Sequence, residues 1–161
     1  QDEPGQHLLA FLCAYARDSL LRSSKDYVFS LRHNEPISKH DFERHIDETD
    51  PGRFSEKTLS SVVRNLSSSW TQSGHIIGRA TKKRSKAEAT PGSLSYALHL
   101  GYLKGYKGES LFSTEYVDLL ECSKARAIEL AEIASRRGWI NFKHIGNIIE
   151  VSFSWEKINN E

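Results

Sequence analysis

A chain of 161 residues, 38% hydrophobic and 27% charged, has the composition of an ordinary globular protein. Three Trp, six Tyr and seven Phe suffice for a core, and the length allows one compact domain or two small ones. A net charge of +1 excludes a uniformly basic chain. No uncharged stretch is long enough to cross a bilayer, and the one nearest the start, residues 4–16, has no basic leader, so no membrane role and a cytoplasmic location are expected.

The small net charge hides a strong asymmetry. Residues 1–52 carry six Lys/Arg against ten Asp/Glu, a net of −4. Residues 53–110 carry ten against three, a net of +7, and residues 111–161 six against eight, a net of −2. A polyanion responds to the local potential of that basic middle and not to the average. Cys13 and Cys122 fall in helical patterns with apolar neighbours, so a reduced pair packed as small hydrophobes is expected. No Met occurs, even at position 1, and the chain reads as a trimmed piece.

In chain order, Leu8, Leu9, Phe11, Leu12, Tyr15, Ala16 and Leu20 recur at helical spacing and predict a first helix over 6–22. A shorter second helix is expected over 26–32, with Tyr27, Val28 and Leu31 inward. After Pro36, Ser38 is positioned to cap a helix that carries Phe42 and Ile46 inward. Ser55 caps the next and longest helix. Its apolar side is Leu59, Val62, Val63, Leu66 and Trp70, and its outer side is Lys57, Ser60, Ser61, Arg64, Ser68 and Thr71. Gly74 stops it. His75–Arg79 then opens a short ribbon whose tip reads Thr81-Lys82-Lys83-Arg84-Ser85-Lys86.

Thr90-Pro91-Gly92 breaks that ribbon, and a helix follows to Leu103, with Leu94, Ala97, Leu98 and Tyr102 inward. Ser113 is expected to cap a short helix to Leu120, and Ser123 a longer one to Arg137, closed by Gly138. Residues 139–144 and 147–155 alternate as two strands around Ile145-Gly146, with Ile149, Val151 and Phe153 on one face. The second hairpin is apolar and reads as core or interface. Twice, then, helices end in a long helix, a Gly stop and a hairpin. The expected fold is mainly α with short β-hairpins: two winged-helix-like halves sharing a core, residues 1–90 with the basic wing and 91–161 without it.

In a winged helix-turn-helix the second helix enters the major groove and the wing meets neighbouring phosphates. Lys57, Ser60, Ser61, Arg64 and Ser68 are the groove candidates. A guanidinium such as that of Arg64 matches a guanine edge, and Asn65 matches adenine. Arg79, Lys82, Lys83, Arg84 and Lys86 are the phosphate candidates. The plainer reading is a solvated helix face beside a charged loop.

Catalytic patterns are weak. His40 and His45 diverge by about 140° on a helix and form no zinc motif, while Asp41 and His45 read as a local charge pair. Asp47, Glu48 and Asp50 have the chemistry to hold Mg²⁺ but sit where acids are common, before a turn. No Gly-rich phosphate loop or nucleophile elbow occurs. No catalytic residue, metal or cofactor is expected.

Several segments together resemble the BrxA family of bacterial phage-exclusion (BREX) systems. They are FLCAYARDSLLRSSKDYV, ISKHDFERHID, FSEKTLSSVVRNLSSSWTQSGHIIG, PGSLSYALHLGYLKG and RRGWINFKHIGNIIEVSF, covering most of the chain. The resemblance lies in the order of apolar and turn positions, with no catalytic motif to carry over. It implies a small, mainly helical, DNA-binding, non-enzymatic protein acting on double-stranded DNA beside other phage-defence proteins. The alternative is an interaction scaffold in such an assembly that makes no DNA contact itself.

Overall fold

The computed structural model describes residues 2–154; Trp155, assigned above to the last strand, lies outside them. Among those residues the fold is mainly helical with two short antiparallel hairpins. No helix among them is long and apolar enough to cross a membrane. The chain divides into two compact units, one of residues 13–87 and one of residues 1–12 with 88–161. The expected cut at 90/91 therefore falls at 87/88, and the first twelve residues join the C-terminal unit. That cut lies inside the first helix, α1 (Gln6–Arg17).

The unit of residues 13–87 continues with α2 (Ser19–Ser30), α3 (Lys39–Thr49), α4 (Glu56–Gln72) and a hairpin of β1 (Ile76–Ile77) and β2 (Lys83–Arg84). The expected first helix over 6–22 is broken at Asp18. Its carboxylate accepts hydrogen bonds from the Leu20 and Leu21 amides, so it ends one helix and caps the next. Helix α2 accordingly takes in Ser23, Ser24 and Lys25 instead of starting at 26. Pro36 forms an isolated antiparallel bridge with Lys83. Hydrogen bonds from Asn34 N to Arg84 O, Arg84 N to Glu35 O and Ile37 N to Lys82 O extend that pairing. The order is thus helix, extended segment, helix, helix, hairpin, with the extended segment against β2: the order of a winged helix-turn-helix.

Its core gathers Leu21, Val28, Phe42, Ile46, Val63, Leu66, Trp70 and Ile76, each buried. Burying the indole of Trp70 strands an N–H unless it finds an acceptor. Nε1 donates to Ser24 Oγ at 2.7 Å, and that hydroxyl donates to Leu21 O at 2.7 Å. Tyr27 stacks on Phe42 at 4.6 Å, donates to Ser38 O and accepts from Ser38 N, tying α2 to the cap of α3.

The other unit is built on α5 (Pro91–Leu103). Thr90 accepts from Ser93 N and the Ser93 hydroxyl accepts from Thr90 N, while Asp2 accepts from Gly92 N at 2.9 Å and from the Thr90 hydroxyl. Its own Leu94, Ala97, Leu98, Leu100 and Gly101 are buried, and α6 (Glu115–Asp118) and α7 (Lys124–Arg136) pack against it. The expected cap of the short helix moves from Ser113 to Thr114 because residues 108–113 form a 3₁₀ turn. The second hairpin, β3 (Asn141–Ile145) and β4 (Ile148–Ser152), turns at Gly146-Asn147 and not at Ile145-Gly146. Gly146 has φ +58°, as a two-residue hairpin turn demands. Ile140, Ile149 and Phe153 are core, but Ile145 and Ile148 at the tip are 76% and 67% exposed. Cys13 and Cys122 form no disulfide.

Two outcomes test this packing. Ser24→Ala leaves the Trp70 N–H without its acceptor and should cost about 1–3 kcal/mol in a urea titration followed by circular dichroism. Burial, only partly offset by the hydrogen bond to the Ser38 backbone, pushes the Tyr27 phenol above its ordinary value near 10. A raised folded value means stability present below the unfolded pKa and lost as pH rises through the folded one. Part of the alkaline loss of stability, above about pH 10, should therefore vanish in Tyr27→Phe, read as the pH dependence of the urea midpoint.

Candidate nucleic-acid interface

Ser55 accepts from Thr58 N at 3.2 Å and starts α4, with Glu56 in its positive first turn. Once Val63, Leu66 and Trp70 face inward, the 3.6-residue repeat sets Lys57, Ser61, Arg64 and Ser68 outward, and all four are exposed. The hydroxyls of that face are mostly engaged. Ser61 donates to Lys57 O and Ser69 to Asn65 O, each one turn back. Ser60 is half-buried and accepts from Lys39 Nζ at 2.6 Å, so it is no groove contact of its own. The cations are what this ridge offers.

The helix stops at Gly74, φ +89°, and His75 turns inward. The His75 ring lies edge-on to Trp70 at 5.0 Å, with Nδ1 2.6 Å from the Ser73 hydroxyl. Gly78 makes the next bend, φ +108°, where a Cβ would stand 2.2 Å from the Thr81 carbonyl oxygen. The register then decides which wing side chains see solvent. Ile76 pairs with Arg84 and Ile77 with Lys83, so Ile76 and Arg84 share the inner face.

Arg84, expected on the phosphate side, is thus corrected to the core: it is 5% exposed. Its Nε donates to Val28 O at 3.0 Å, its Nη1 to His75 O at 3.2 Å and to Ser85 O, and the guanidinium lies 4.8 Å from the Phe29 ring centroid. A buried charge needs this many acceptors, and here it clamps the wing. Arg79, Lys83 and Lys86 are exposed and Lys82 is half-exposed, as a phosphate-contacting set requires.

Helix and wing meet at a cleft of about 250 Å³. Its cations are Lys39, Arg64, Arg79 and Lys82; Ile37, Val63 and Ala80 give apolar walls, and Ser67 completes the lining. The structure therefore brings Arg64, Arg79 and Lys82 together, leaves Lys57, Ser61, Ser68, Lys83 and Lys86 as exposed flanks, and removes Arg84. Lys39 and Ser67 escaped the sequence reading. Lys39 lies on another helix, and Ser67 sits at the edge of the apolar stripe, where periodicity alone calls it core.

The other chemistry resolves locally. Asp41 pairs with Arg44 at 2.8 Å and not with His45, whose Nε2 lies 2.9 Å from Ser23 O and donates to it. Asp47 accepts from Gly52 N and Asp50 stands 4.0 Å from Arg53, turn contacts both. No group of three metal-binding side chains occurs among the described residues. No family model, curated protein or solved structure matches this chain.

Removing the clamp separates structural from surface cations. Arg84→Gln should lower the unfolding free energy by at least about 2 kcal/mol, because carbonyls and an aromatic face lose a buried charged donor. Lys83→Gln, one residue away and exposed, should stay within about 0.5 kcal/mol in the same titration.

Proposed function

We propose that this chain is a non-enzymatic DNA-binding protein that engages duplex DNA mainly through its phosphates, with α4 toward the major groove and the wing on the adjoining backbone. The observation that carries the reading is electrostatic. Lys57, Arg64, Arg79, Lys82, Lys83 and Lys86 have no carboxylate partner among the described residues, whereas Lys39, Arg44, Arg53, Lys124 and Arg126 each have one. A surface that gathers cations without counter-charges holds a positive potential, and a polyphosphate that neutralises it releases its own condensed counterions. The small residues along α4 support close approach of a backbone.

The resemblance noted above fits this reading, and we extend it to an accessory role in a cytoplasmic phage-defence assembly, without a cofactor and away from membranes. One observation favours the scaffold alternative. Ile145 and Ile148 form an exposed apolar tip on the second hairpin, a contact point for a protein partner.

A fluorescence-anisotropy titration of random duplex at several salt concentrations tests the proposal. About four phosphate contacts predict a log–log slope of about −3 to −4. Lys82→Glu/Lys83→Glu/Lys86→Glu, which spares the buried Arg84, should weaken binding by about a hundredfold or more while circular dichroism stays unchanged. A folded triple variant that binds as the parent does decides for the scaffold.

A further inference from the structure

The cleft between α4, the wing and the start of α3 does more than add charge. We propose that it is a socket for a single phosphate group, filled in the complex by one phosphodiester of the bound strand; the identity of that strand rests on the duplex reading above. Ser67 is the telling residue. It is 92% buried yet lines the cleft, and its hydroxyl has no hydrogen-bond partner among the described residues, although its carbonyl accepts from Thr71. Of the serines near it on α4, Ser60, Ser61 and Ser69 have hydroxyl partners, and Ser68, without one among the described residues, stands exposed to water. A hydroxyl held in a recess beside Arg64, Arg79 and Lys82 is placed to donate to an anionic oxygen.

The socket's shape selects the ligand class. About 250 Å³ falls below the usual range of small-molecule sites, and no aromatic side chain among the described residues lines the cleft to stack a base. Ile37, Val63 and Ala80 give a deoxyribose an apolar surface instead, so a sugar-phosphate unit fits and the base stays outside. The start of α3 supplies Lys39 to the same recess. Lys39 is already shared between Ser60 Oγ at 2.6 Å and Glu43 at 3.6 Å, so Arg64, Arg79 and Lys82 carry most of the anion's charge.

Three variants decide the matter, each checked for an unchanged melting temperature. Ser67→Ala removes no charge and should weaken random-duplex binding about tenfold with the salt slope unaltered. Arg64→Gln/Arg79→Gln should lose at least tenfold more affinity than Lys83→Gln/Lys86→Gln, although both remove two charges. Equal losses in the two doubles, or a Ser67→Ala variant that binds as the parent does, overturn the socket and leave the duplex reading standing. A second arm separates the two claims by titrating the parent with inorganic phosphate and following amide chemical shifts. Saturable shifts at residues 37–39, 64–67 and 79–82, lost in Arg64→Gln/Arg79→Gln, uphold the socket even if duplex does not bind. Their absence overturns it.

Discussion

The buried guanidinium of Arg84 is the contact on which the surface depends. A two-residue hairpin has too few ladder bonds to stand alone in water. Arg84 ties this one to the carbonyls of Val28 and His75 and to the face of Phe29, so helix α2, the start of the wing and its return strand share one fixed charge. The backbone of the same residue pairs with Asn34 and Glu35. One side chain therefore holds the wing in the position at which Arg79 and Lys82 face Arg64 across the cleft. A cation that looks like a ligand contact in the sequence instead orients the cations that are free to act as one.

From that constraint the site follows in steps. Trp70 and His75 fix where α4 ends and where the wing begins, through an edge-on contact and hydrogen bonds to Ser24 and Ser73. Gly78 allows the bend that no Cβ-bearing residue would fit. Unpaired cations then stand on neighbouring elements of one compact unit, where their fields add. Exposed ion pairs elsewhere on the chain contribute little, because water screens both partners. What marks this face is that several such cations gather around one cleft.

Much of the scaffold was legible in the sequence. Ser38, Ser55 and Ser123 cap helices where their spacing before apolar stripes says they should, and α4 buries Val63, Leu66 and Trp70 as its 3.6-residue repeat requires. The break at Asp18 is hidden in the sequence because the apolar pattern runs on through Leu20, and only the cap geometry shows that the chain restarts there. Arg84 reads as a surface cation by its charge, whereas strand alternation places it inside. With Ile76 inward, the register of a short hairpin sends its cross-strand partner inward too. Lys39 and Ser67 are invisible to periodicity, since the cleft they line exists only once α3, α4 and the wing are assembled. In the second unit the same order of helices and hairpin recurs, yet Lys124 and Arg126 are paired with Glu109 and Glu129 and the wing tip is apolar. Shared architecture there does not bring shared chemistry.

The central claim is spatial: one face of residues 13–87 meets the nucleic acid. Amide chemical-shift mapping on addition of a random duplex reads this directly. Perturbations should group at the first turn of α3, the outer side of α4 and residues 78–86, with β3 and β4 unmoved. Perturbations centred on the 141–152 hairpin, or none anywhere at saturating duplex, would contradict it.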